Sequence, residues 1–244
     1  ALRSSSDGNP WRLKVTNSQS VREVDVKDSN ADAGLTIYPV SSTGTGSNPN
    51  WVFDAAWQTW VGTNSAVFTD AANWLPATAP DAARRLLIDG FYTNEPVLTG
   101  DAAARQLLLG GVVPATLTVN GRLTVTEDVT VLHAATLTHS GNGDTEANRL
   151  QLTVGGGLDI QDGGQINVDG RGYAPNKGPG TAAAGAHGGQ GGEYNADRKS
   201  VGTTYGSITA PTNCGSGGWS FAGGGVALLS VDGTTTLEGF ISAN

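Results

Sequence analysis

The chain has 244 residues, of which 36 are glycine, 15% are charged and none is methionine; 14 Lys and Arg against 22 Asp and Glu leave a formal charge of −8. So acidic a chain repels phosphate backbones and anionic bilayers, so nucleic acid and membrane surfaces are not expected partners. No apolar run reaches the roughly 18 residues a spanning helix needs, and the single cysteine, Cys214, cannot form an internal disulfide.

In residues 1–50, Trp11, Leu13 and Val15 alternate with Arg12 and Lys14, and the alternation resumes through Val24 and Val26 before Leu35 and Ile37. Period two predicts strands with one buried face. Residues 51–100 change character: Trp51, Trp57, Trp60 and Trp74 crowd together, and Pro76 and Pro80 argue against helix. Four tryptophans could form a sugar-stacking platform or a plug closing the end of a hydrophobic column; the surrounding turn signals favour the plug.

From residue 101 the pattern is repetitive. LTVNGRLTVTEDVTV (117–131), LTVGGGLDIQDGGQINVDG (152–170) and LSVDGTTTLEGFISAN (229–244) share short apolar-Thr-apolar triplets separated by Gly, Asn or Asp. In Leu117-Thr118-Val119, Leu123-Thr124-Val125 and Val129-Thr130-Val131 the apolar pair faces one side and Thr the other. Glycines such as Gly155–Gly157 and Gly163–Gly164 turn the chain between strands. Stacking such units, Leu on Leu and Val on Val, gives an all-β solenoid in which each round pairs its backbone with its neighbours. A sandwich of hairpins is the competing architecture; serial resemblance between units favours the solenoid. The Gly-rich stretch 170–225 is too poor in large apolar residues for a core of its own and reads as an excursion from one corner, whose arms could pack as extended polyproline-like segments.

Three sets of residues carry a family resemblance. LRSSSDGNPW, VREVDVKDSNADAG and STGTGSNPNWVF in the first fifty positions, WVGTNSAVFTDAANWLPATAP in the next fifty, and the VDGRGY…GPG…GSGG…GGG insert closed by ISAN resemble the β-helix repeat modules of large secreted or cell-surface bacterial proteins of adhesin or autotransporter type. The resemblance implies a right-handed parallel β-helix, divided into coils at 1–50, a Trp-rich connecting or capping module at 51–100, and coils at 101–244 interrupted by the insertion at about 170–225. It implies a secreted or cell-surface location, while saying little about activity.

The search for chemistry returns absences. His133, His139 and His187 lack zinc-type spacing and read as satisfied surface residues. No G-x-S-x-G occurs, CGSGGW offers Cys214 no assignable base, and no Gly run carries the Lys and Ser/Thr of a phosphate loop. GGGLDIQDGG resembles a calcium nonapeptide with Leu158 in place of a required glycine, which disfavours calcium at Asp159 or Asp162. Asp25, Asp28, Asp32, Asp144 and Glu146 read as solvated turn residues without EF-hand spacing. Outward positions are mainly threonine (Thr118, Thr124, Thr130, Thr153), which suits neither a carboxylate-driven lyase or hydrolase nor a regular ice-binding array. The expectation is therefore a non-enzymatic extracellular structural protein with no catalytic, cofactor or metal residues. Both termini read as cut through a solenoid, so the expected partners are further copies joined head to tail or adjacent modules of a longer chain. The alternative is a carbohydrate-binding or polysaccharide-degrading β-helix module recognising surface glycans.

Overall fold

The alternation in the first fifty residues produces five short strands, β1 (Leu2–Arg3), β2 (Trp11–Arg12), β3 (Asp25–Lys27), β4 (Ser29–Asn30) and β5 (Thr43–Thr45). In this computed structural model, which describes residues 1–6, 8–16, 21, 23–39, 42–53, 57–111, 113–179, 187 and 204–244, β1, β3 and β5 pair in parallel, as do β2 and β4. Leu2 lies beside Val26 and Val26 beside Gly44, and a parallel bridge joins Ile37 to Trp51. Val26, Ala31, Ile37 and Trp51 are buried here, with Trp11, Leu13 and Val15 against them, while Arg12 and Lys14 stay exposed. Each buried residue of a strand thus follows from its parity.

The rest of the chain adds β6 (Trp57–Trp60), β7 (Trp74–Leu75), β8 (Arg85–Ile88), β9 (Val97–Leu98), β10 (Ala102–Ala104), β11 (Gln106–Leu109), β12 (Ala115–Val119), β13 (Arg122–Val125), β14 (Val129–Val131) and β15 (Ala135–Thr138). It continues with β16 (Leu150–Val154), β17 (Leu158–Ile160), β18 (Gln165–Asn167), β19 (Ala227–Val231), β20 (Thr235–Leu237) and β21 (Phe240–Ser242). A 3-10 turn at Ala71–Asn73 is the only helical element among the described residues, and the protein is all-β.

Three sheets share these strands. The first runs β20-β17-β14-β11-β8-β6-β7, the second β21-β18-β15-β12-β9 and the third β19-β16-β13-β10. From β8 onward each strand pairs in parallel with the strand three places later, so the chain visits the sheets in rotation. Among the described strands only β7 runs antiparallel, against β6. Like residues stack in register: Leu123 on Leu152 on Leu229, Val125 on Val154 on Val231, and Leu117 on Leu137 on Ile166 on Ile241. The inward members from all three sheets form one core running from Trp60 to Val168. Each buried Leu, Ile or Val contributes about 1.5–3 kcal/mol to that core.

The core is closed at one end by aromatic rings. Trp60, Phe68 and Trp74 are all but inaccessible, with ring centroids 5.1 to 6.3 Å apart. Their indole N–H groups are satisfied, Trp60 Nε1 donating to Asn94 O at 2.8 Å and Trp74 Nε1 to Phe68 O at 2.7 Å. Trp57 faces the other way. It joins Leu87, Leu108 and Leu132 on the outward side of the first sheet, under Tyr38 from the N-terminal segment. That second apolar layer explains why β8 and β11, RLLI and QLLL, do not alternate: both faces are covered.

Candidate functional site

The opposite end of the core has no aromatic plug. β19, β20 and β21 are the outermost strands of the three sheets, each with one neighbour. Leu237 and Ile241 continue the inward columns above Ile160 and Ile166, yet they are 51% and 41% exposed where the residues beneath them are fully buried. Phe240 beside them is 47% exposed. An apolar column that stops at solvent, flanked by unpaired strand edges, is a ready surface for another layer of strands.

Two polar contacts pin this outer layer. Asp169 accepts hydrogen bonds from Ser242 Oγ and from the Asn244 N–H, both at 2.5 Å, and these bonds hold its carboxyl below the ordinary carboxylate range. His139, fully buried, accepts at Nε2 from the Val226 N–H at 3.1 Å and donates from Nδ1 to Ser140 O at 2.8 Å. The two partners, a donor and an acceptor, fix the neutral imidazole with its proton on Nδ1. Burial is the main cause that pushes its pKa down, and the Arg171 charge adds to it. His139 therefore is not a surface histidine as its sequence context suggested. It sits where the excursion returns to β19.

The excursion is anchored by the same neighbourhood. Asn142 donates from Nδ2 to Asn148 O at 2.9 Å, Arg171 O at 3.1 Å and Cys214 Sγ at 3.3 Å, and its Oδ1 accepts from the N–H groups of Ala147 and Asn148. Cys214 is fully buried among Tyr173 and Val226, against Leu228. Burial raises its thiol to about 11, so it is an inert packing residue. Backbone bonds link the arms directly, Tyr173 N to Gly215 O and Gly223 N back to Tyr173 O. A Cβ at Gly223 would stand 2.0 Å from Gly215 O, and one at Gly217 2.0 Å from Ala174 O; only glycine permits that approach. The central part of the insertion, 180–186 and 188–203, lies outside the described residues.

The remaining candidates are dispersed. Trp51, Trp57, Trp60 and Trp74 are at most 8% exposed, so none offers a free ring face to a sugar. His133 Nδ1 donates to Asp162 O at 3.1 Å, and His187 stacks edge-on with Tyr205. Asp25 pairs with Arg3, Asp144 with Lys177, and Glu146 with Arg149, while Asp28 caps the N–H groups of Gly8 and Ser47. Asp32 is an exposed turn residue beside Asn30, whose Oδ1 accepts from its N–H. Asp159 accepts from Gln161 Nε2 and shares a hollow of about 250 Å³ with Asp128, Thr130 and Thr236 below Tyr38. Burial raises the Tyr38 phenol, and the nearby Asp159 and Asp128 charges raise it further, which keeps it a hydrogen-bond donor. No group of three potential metal ligands exists among the described residues. Sequence reasoning passed over Asn142 and Asp169, because GNGD and VDG carry only a turn signal. Comparison with known proteins finds no family model, no curated protein and no solved structure that matches the chain.

Proposed function

We propose that the protein is an extracellular structural segment in which the three parallel sheets form the faces of a right-handed β-helix, and in which the outer layer β19–β21 of one copy stacks on β1 and β2 of the next. The observation that carries the reading is the asymmetry of the core: an aromatic plug at one end, and exposed Leu237, Phe240 and Ile241 on strands with one free edge at the other. Right-handedness follows from the strong preference of parallel strand-to-strand crossovers for that hand. Backbone pairing would supply affinity and the apolar column its burial. Charge supports the same register: residues 1–16 hold Arg3, Arg12 and Lys14 against one acid, whereas 226–244 hold Asp232 and Glu238 and no base. The unlike ends make the contact heterologous, which propagates into open fibres rather than closed dimers. A secreted or cell-surface location fits the role, with scaffolding rather than catalysis as the activity.

Sedimentation velocity over a concentration series tests the proposal. The wild-type chain is expected to form a ladder of growing species that salt weakens, and the Leu237→Lys, Ile241→Lys double variant to stay monomeric with an unchanged far-ultraviolet circular dichroism spectrum. A wild-type chain that sediments as a single monomer at every concentration overturns it.

A further inference from the structure

Several polar side chains on and beside the outward faces of the first two sheets are engaged within the chain. On the second sheet Gln165 Nε2 donates to Thr136 Oγ1 at 2.8 Å, Asn167 Nδ2 to Gln165 Oε1 at 3.2 Å, and Thr138 Oγ1 to the backbone carbonyl of Asn167 at 2.6 Å. On the first, Arg105 and Arg85 share Glu127 at 2.8 and 3.6 Å, and Gln161 holds Asp159. On the third, register places Arg122 beside Gln151, and Thr124 beside Thr153 beside Ser230. None of these five side chains has a hydrogen-bond or ion-pair partner among the described residues. They line a shallow groove of about 640 Å³, bordered by Leu228, on which the excursion packs through Tyr173 and Cys214.

We infer that this groove binds an extended acidic polysaccharide, with a sugar carboxylate on the Arg122 guanidinium and ring hydroxyls on Gln151, Thr124, Thr153 and Ser230. Hydroxyls and an amide that can both donate and accept, repeated at about 4.8 Å across strands and about 7 Å along them, match a ligand that presents hydroxyls in series. Arg122 is the only charged residue of the lining among the described residues, so the groove favours an anion, and its planar fork suits a carboxylate in two-point contact. A single guanidinium amid hydroxyls and an amide matches a carboxylate set among ring hydroxyls better than a nucleic acid, whose binding scales with the number of phosphates neutralised. The exposed hydroxyls, amide and guanidinium beside Leu228 suit an amphipathic sugar ring better than a wholly apolar ligand. The inference is independent of end-to-end stacking, because the groove lies on a face and is complete within one chain.

Isothermal titration of the intact chain with hexasaccharides of hyaluronan, polygalacturonate and alginate tests it, with neutral chitohexaose as comparison. At least one acidic hexasaccharide is expected to bind with a Kd below about 1 mM, and Arg122→Gln to weaken that binding by about tenfold, the loss of one charge-assisted contact. Thr153→Val, which keeps shape and removes the hydroxyl, is expected to weaken acidic and neutral sugars alike. Arg122 is exposed, and thermal melts of both variants coinciding with wild type establish that the fold is retained. Absence of binding by all three acidic hexasaccharides, or binding that Arg122→Gln and Thr153→Val leave unchanged, overturns the inference.

Discussion

At the scale of single residues the load falls on a few polar side chains that satisfy backbone groups inside turns. Asn142 is the clearest: it is 7% exposed and engages both its amide hydrogens and its oxygen with four other residues across two connections. Asn142→Ala strands those backbone groups, and chemical denaturation is expected to show a loss of about 3 kcal/mol. His139 gives the chain a pH dependence. Its pKa is lower in the folded than in the unfolded chain, so as pH falls the unfolded state takes up a proton first. Its contribution is complete above about pH 6.5, the ordinary histidine value, and shrinks as pH falls from there toward the folded-state value. Protonation puts a second donor against the Val226 N–H. The carboxyls held low by hydrogen bonds, Asp70, Glu127 and Asp169, begin to matter only below about pH 4. The denaturation midpoint is therefore expected to fall as pH drops below about 6.5, and less steeply in His139→Gln; parallel profiles for the two chains would contradict the assignment. Neither residue was legible beforehand, because both act on partners distant in sequence: Val226 is reached from His139, and Cys214 from Asn142.

At the scale of elements, the strands built on apolar-Thr-apolar triplets are where the sequence spoke most directly. β12, β13 and β14 contain Leu117–Val119, Leu123–Val125 and Val129–Val131, and β12 and β16 bury alternate residues as period two requires. Alternation is a local signal and survives because one face of each strand meets the core and the other meets solvent. It fails at β8, β11 and β14, where Leu87 and Leu108 lie under Trp57 and Tyr38 and Thr130 beside Leu108 is buried as well, contacts no window of neighbouring residues reveals. The difference between faces predicts a contrast within one strand: Leu152→Ala is expected to cost about 2–5 kcal/mol through the cavity it leaves, whereas the outward Thr153→Val should leave the unfolding midpoint nearly unchanged. The Gly-rich excursion was legible as an interruption of the repeat and not as a packed object. Its order comes from glycine backbones in direct contact, so Gly217→Ala is expected to destabilise by about 1–3 kcal/mol in thermal melts, since its Cβ would meet the Ala174 carbonyl.

At the scale of the whole molecule, the repeated units of the second half appear as three parallel sheets visited in rotation, and the Trp-rich stretch as the buried end of their core. What the repeats could not convey is that the two ends of that core are unlike. Trp60, Phe68 and Trp74 seal one, and the columns through Leu237 and Ile241 run out at the other. Stacking copies through the open end would bury those side chains and pair free strand edges across the junction, which is why association rather than catalysis is the function this architecture supports best. The most direct measurement is negative-stain electron microscopy of the purified 244-residue chain. The account predicts unbranched fibres one molecule wide with a regular axial repeat, lost in the Leu237→Lys, Ile241→Lys variant; isolated particles of one size at every concentration would contradict it.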